Sequence, residues 1–157
     1  MKIDAPHNQR ILMVDDNEDV RTALIGSLTQ RGYHCVGAEH GASALQLLNS
    51  DRFHLVITDY RMPSMDGLQF LEVLKKRPAH SLPPVILMTA DMSEKLREHA
   101  LALGVYAVIA KPFAPQKLAV LAAHAIESGE IDQRRLRKTS GDLHAHVTGH
   151  LYPFTRR

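Results

Sequence analysis

The sequence predicts an α/β protein: five strands alternating with five helices, (βα)5, forming a doubly wound open parallel sheet. Two observations carry this. Short runs rich in Val and Ile recur along the chain as continuous apolar stretches, the pattern of strands covered on both faces. Between them lie segments whose apolar residues repeat with the 3.6-residue period of a helix.

The strands are expected at Ile11 to Val14, Cys35 to Ala38, Phe53 to Thr58, Val85 to Thr89 and Tyr106 to Ala110. The helices follow from Val20, Leu24 and Leu28; Ala44, Leu45 and Leu48; Leu68, Leu71 and Leu74; Leu96, Ala100 and Leu103; and Leu118, Leu121 and Ile126. Gly32 and Gly104 are placed to end helices, and Pro63, Pro78, Pro83 and Pro84 mark connections. Right-handed crossovers put helices on both faces of such a sheet, and ligands bind beyond the carboxyl ends of its strands, where the strand order reverses.

The chain of 157 residues fits one domain with a short tail, and its 45% apolar and 23% charged residues are ordinary for a globular protein. A net charge of +2 argues only weakly for nucleic acid. Basicity concentrates after Gly129, where Arg134, Arg135, Arg137, Lys138, Arg156 and Arg157 outnumber Glu130, Asp132 and Asp142. The single cysteine, Cys35, excludes an internal disulfide and reads as a small strand residue. MKIDAPHNQR has no apolar signal region, and no stretch approaches the roughly 18 apolar residues of a membrane span, so a cytoplasmic protein is expected.

Chemistry gathers where the topology says to look. The first strand runs into Asp15 and Asp16, the third ends at Asp59, the fourth at Thr89 and the fifth at Lys111. An aspartate after a strand has an ordinary explanation as a helix N-cap, but one residue suffices for capping. Three carboxylates at one edge would repel unless a cation compensates, and a hard divalent ion such as Mg²⁺ prefers such oxygen ligands. A hydroxyl and an ammonium at the same edge can hold the oxygens of an anion during transfer.

These residues resemble the receiver domain of two-component response regulators over about residues 10–128. The resemblance rests on the acid pair Asp15 and Asp16, on Asp59 in D-Y-R-M-P-S-M-D-G, on Thr89 in M-T-A and on Lys111 in K-P-F, with 30 residues from Asp59 to Thr89 and 22 from Thr89 to Lys111. It implies the CheY-like, flavodoxin-like strand order 2-1-3-4-5. It also implies that Asp59 accepts a phosphoryl group from a histidine kinase or histidine phosphotransfer protein, with Mg²⁺ as cofactor. Asp16 is then a direct metal ligand, Asp15 acts mainly through water, and Asp59 and the Arg61 carbonyl complete the protein's share. Thr89 and Lys111 contact the phosphoryl group, and Lys111-Pro112 is a cis peptide. The family places no enzyme activity here beyond assistance to its own phosphorylation and dephosphorylation.

Two features depart from the family. The aromatic residue expected three positions before the lysine is Val108, with Tyr106 two residues earlier as a partial substitute. The positions two past Asp59 and two past Thr89 hold Arg61 and Asp91, which suggests an ion pair across the entrance that slows hydrolysis. Pro63 and Asp66-Gly67 need only a structural reading, with Asp66 as the cap of the third helix.

The chain therefore divides into an N-terminal extension (1–9), a receiver (10–128) and a basic, His-containing tail (129–157). In the tail, I-D-Q-R-R-L-R-K can extend the last helix by two turns before S-G-D breaks it. His144, His146 and His150 offer a weak metal pattern that no cysteine or acidic cluster completes. The expected function is that of a single-domain response regulator acting by protein contact with a downstream target, with a possible homodimer through the fourth helix, fifth strand and fifth helix, and with no nucleic acid or membrane as partner. A receiver-like module that binds without phosphorylation is the alternative. A haloacid-dehalogenase-like phosphatase would need a second acid where Arg61 stands, and a flavodoxin-like carrier would need a Ser/Thr-rich loop where Asp15 and Asp16 stand.

Overall fold

A computed structural model of the chain describes residues 8–78 and 82–148. Its strands are β1 (Arg10–Val14), β2 (His34–Ala38), β3 (Leu55–Asp59), β4 (Val85–Thr89) and β5 (Ala107–Ala110). Its helices are α1 (Glu18–Thr29), α2 (Gly41–Ser50), α3 (Gly67–Lys75), α4 (Glu94–Ala102) and α5 (Pro115–Thr148). The strands form one parallel sheet in the order β2-β1-β3-β4-β5. The order reverses between β1 and β3, so the ends of those two strands face one another across the crevice.

Alternation along the strands divides the core in two. Ile11, Met13, Leu55, Ile57, Ile86, Met88 and Ile109 pack against Leu24 and Leu28 of α1 and Leu118, Ala122 and Ile126 of α5. Leu12, Val14, Val56 and Leu87 pack with Ala44 of α2, Phe70 and Leu71 of α3, and Leu96 and Ala100 of α4. With both faces covered, β3 and β4 are buried along their whole length, which is why they read as unbroken apolar runs.

Each of the first four helices has a side-chain cap. Asn17 caps α1, His40 forms a capping box with Ser43, Asp66 forms one with Gln69, and Ser93 caps α4. Gly32 and Gly104 take φ of 93° and 86° after α1 and α4, a region that suits glycine. The bounds of β1, β2, β3 and β5 differ from expectation by one or two residues. Phe53 is buried but precedes the β3 ladder, and Tyr106 precedes β5.

The fifth helix departs most from the sequence reading. The expected break at Ser140-Gly141-Asp142 does not occur, and α5 continues for 34 residues to Thr148. An internal glycine costs a helix only about 1 kcal/mol, against about 3 kcal/mol for proline, so one Gly between two polar residues does not stop it. Such a helix is about 50 Å long, whereas five strand residues span about 17 Å. At Gly129 it passes Pro84, at the amino edge of the sheet, so closely that an added Cβ would lie 2.9 Å from the proline ring, and it then runs on past that edge.

Candidate functional site

The first link between sequence and site is a capping role that the aspartates do not have. Asn17, not Asp15 or Asp16, accepts the Val20 amide at the start of α1, at 3.0 Å. Both carboxylates are thereby released from the ordinary explanation for acids after a strand. Asp15 is wholly buried: its amide donates to the Ala38 carbonyl of β2 at 3.1 Å, and its Oδ1 accepts the Asn17 amide at 2.9 Å. Arg21 of α1 donates to the Asp15 carbonyl at 2.7 Å and fixes the chain at this corner. Asp16 is exposed.

Across the crevice, Asp59 closes β3 with a side chain held at one oxygen. Its Oδ1 accepts the Tyr60 amide at 3.0 Å and lies 3.0 Å from Lys111 Nζ. No other residue among those described hydrogen-bonds its Oδ2. Lys111 also reaches Asp15 Oδ2 at 3.4 Å, and its own amide donates to the Thr89 carbonyl at 2.8 Å, which fixes the lysine to the end of β4. One carboxylate oxygen from each of Asp15, Asp16 and Asp59 lies within 4.8 Å of the others. Three hard oxygen donors so close, answered by one ammonium, fit a divalent cation of the Mg²⁺ kind.

The charges confirm a shortage of positive charge. Burial pushes the Asp59 carboxyl above its ordinary range; Lys111 pulls it down, but Asp15 adds to the rise and the net direction is upward. Burial works against the Lys111 ammonium as well, yet Asp59 and Asp15 together hold its pKa above the ordinary lysine value. The upward shift of Asp59, despite an ammonium at 3.0 Å, shows that one lysine does not offset desolvation and the neighbouring acid.

Thr89 is buried at the end of β4 with its hydroxyl turned into the β4–α4 loop. The hydroxyl accepts the Asp91 amide at 3.0 Å and donates to the Asp91 carbonyl at 3.3 Å. Arg61 is exposed in the loop after β3, between Tyr60 and Met62, both packed into the α2–α4 side of the core. The expected ion pair of Arg61 with Asp91 is not formed. The Asp91 carboxylate accepts the Ser93 amide at 2.9 Å, and this bond lowers its pKa more than the distant Arg61 charge does. Val108 is half-buried against the α2–α4 side of the core. Tyr106, 39% exposed, precedes β5 and donates its amide to Val85, at the start of β4. The structure thus brings Asp15, Asp16, Asp59 and Lys111 together, sets Thr89 beside them on a neighbouring strand end, and leaves Tyr106 roughly 16 Å of strand away from Lys111. The Lys111-Pro112 bond is cis.

Gly67 supports the site in a way that the sequence reading did not assign. Its amide donates to the Tyr60 carbonyl at 2.7 Å, and a Cβ there would lie 2.6 Å from the Asp59 carbonyl oxygen. The start of α3 therefore rests directly on the backbone that carries Asp59. Ser64 crosses the same loop at φ 67°, a conformation costly for a residue with a side chain. The side chains of His144, His146 and His150, and with them the metal pattern noted above, lie outside the described residues.

A doubly wound sheet with an acidic trio and a lysine at its switch point defines a fold and site suited to hold a cation beside an anion. Comparison with known proteins gives the family. The family model described as "Response regulator receiver domain" matches residues 11–123, and the chain belongs to that family. It is 34% identical over 110 residues to a probable chemotaxis protein CheY of Rhizobium etli, covering 69% of this chain and 85% of that protein. It is 36% identical over 110 residues to the phosphate regulon transcriptional regulatory protein PhoB of Klebsiella pneumoniae, matching 48% of that protein's length. Among solved structures, a CheY-like response regulator receiver domain protein from Methanospirillum hungatei superposes with a TM-score of 0.74 at 26% identity, over 79% of this chain and 98% of its own. No helix among the described residues is long and apolar enough to cross a membrane.

Proposed function

We propose that this chain is a response-regulator receiver that accepts a phosphoryl group on Asp59 and signals by changing a protein-binding surface. The observation that carries the reading is the cluster itself: Asp15, Asp16 and Asp59 within 4.8 Å of one another, with Lys111 Nζ 3.0 Å from Asp59. The donor is a phosphohistidine of a histidine kinase or phosphotransfer protein, or a small acyl phosphate. A carboxylate oxygen of Asp59 attacks phosphorus, the new O–P bond forms as the donor's P–N or P–O bond breaks, and the leaving group takes the electron pair. Oδ2, which no described residue hydrogen-bonds, is the oxygen suited to attack.

Asp16 and Asp59, with Asp15 through water and the Arg61 carbonyl, would hold Mg²⁺. When bound, the ion supplies the positive charge that one lysine does not provide. Lys111 holds a phosphoryl oxygen and keeps Asp59 ionised for attack. To donate to the phosphoryl group, the Thr89 hydroxyl gives up the bond it donates to the Asp91 carbonyl, which links the site to the β4–α4 loop. Arg61 and Asp91 flank the entrance and set the lifetime of the phosphoryl group, each alone, since they are not paired.

The output surface is formed by α4, β5 and α5. It exposes Leu101 and Val120, each about half accessible, with Tyr106 at its edge and Met92 in the loop that leads into α4. This surface serves a downstream protein or a second copy of the chain. The likeness to the chemotaxis protein, matched over 85% of its length, supports output by contact.

Incubation with Mg²⁺ and acetyl phosphate, followed by intact-mass measurement, tests the proposal. A single phosphoryl adduct is expected in the wild type, absent with EDTA and absent in Asp59→Asn. No adduct with acetyl phosphate or with a promiscuous histidine kinase would leave the chain a receiver-like module that binds without phosphorylation.

A further inference from the structure

The family match stops at residue 123, yet α5 continues to Thr148, and its added turns build a feature at the end of the sheet opposite Asp59. Beneath them lies a cavity of about 870 Å³ between the ends of α2 and α3 and the extended helix. A second cavity of about 690 Å³ continues from it, sharing Leu74, Leu82, Pro83, Gln133 and Leu136, so the two form one elongated groove with an apolar floor.

The charge on this groove is one-sided. Arg52, Arg77 and Arg137 line the first cavity, and none of them meets a carboxylate among the described residues. Arg77 donates to Asn49 Oδ1 at 2.7 Å and to the Leu45 carbonyl, while Arg52 makes a long contact to Gln133 Oε1 at 3.5 Å. The one carboxylate lining that cavity, Asp51, is already paired with Arg10 at 3.4 Å. Lys75 and Arg135 continue the basic rim along the second cavity, with Asp132 as its one acid. Guanidinium forks held over an apolar floor match carboxylates interleaved with aliphatic side chains.

We propose that this groove docks an extended acidic segment of a partner protein, with Asp or Glu side chains on the arginine rim and apolar side chains on the floor. The elongated shape favours a peptide over a compact small molecule, and the one-sided charge selects its sign. The wall formed by Gln133, Leu136 and Arg137 lies outside the matched family segment, so the site belongs to this chain's extended helix and is independent of the chemistry at Asp59.

The test is selection from a library of random dodecapeptides by the full chain, with Arg52→Glu/Arg137→Glu as the comparison. Both residues are exposed, and retained phosphorylation by acetyl phosphate verifies the fold of the variant; if the reversal unfolds the protein, Arg52→Gln/Arg137→Gln replaces it. Selected peptides should be rich in Asp and Glu alternating with Leu, Val or Phe. They should bind the variant about tenfold or more weakly and lose affinity as salt rises. Selection without acidic enrichment, or equal affinity for the variant, overturns the proposal. So does a chain that selects no peptide but binds inorganic pyrophosphate or self-associates through these arginines.

Discussion

Asp59 holds its charge in a place that resists it. Burial and the neighbouring Asp15 raise its pKa in the folded chain above the ordinary aspartate value. A group raised in this way favours the folded state when protonated, and that contribution is lost as pH rises through the folded pKa. At neutral pH the ionised side chain therefore opposes folding in the absence of metal. Asp59→Asn should melt higher than the wild type at pH 7 without Mg²⁺, and the gain should shrink as pH falls into the ordinary carboxylate range; thermal melts across that range check it. Gly67→Ala acts in the opposite direction, because its Cβ would meet the Asp59 carbonyl at 2.6 Å. A loss of about 1–3 kcal/mol in denaturant unfolding is expected, together with slower phosphorylation, since the backbone that must shift carries Asp59, the proposed acceptor. Asp15, Asp59, Thr89 and Lys111 were legible in the sequence because each follows an apolar run that announces a strand end. Asn17 and Gly67 were not, because one acts by taking a cap from its neighbours and the other by approaching backbone several residues away.

Elements follow the same logic at larger size. The central strands were legible because burial on both faces leaves no polar residue to interrupt them, and Phe70 of α3, fully buried against them, anchors that packing. Phe70→Ala should cost about 3–5 kcal/mol, measured by urea unfolding. The extension of α5 through I-D-Q-R-R-L-R-K was legible, but its continuation past Ser140-Gly141-Asp142 was not. The apolar spacing that identifies a helix reports contact with the sheet, and α5 leaves the sheet near Gly129, so its later turns carry no such signal. Removing residues 138–157 should lower helical circular dichroism while leaving phosphorylation intact, since the described residues of that segment make no contact with Asp59 or Lys111.

For the whole molecule, the strand order brings the ends of β1 and β3 side by side and so makes one site from residues more than forty positions apart. The acid cluster is the point at which fold and function meet. If it holds Mg²⁺, the ion binds the folded chain and not the unfolded one. At about ten times the dissociation constant, the melt should then gain about 1.4 kcal/mol of stability, and Asp16→Ala should abolish the gain. Where the phosphoryl group goes tests the proposed function most directly. Borohydride reduction converts an aspartyl phosphate to homoserine, which peptide mapping by mass spectrometry locates. Homoserine at position 59 alone, only after incubation with phosphodonor and Mg²⁺, is the expected result; homoserine at position 15 or 16, or none in a chain that has gained a phosphoryl mass, would contradict it.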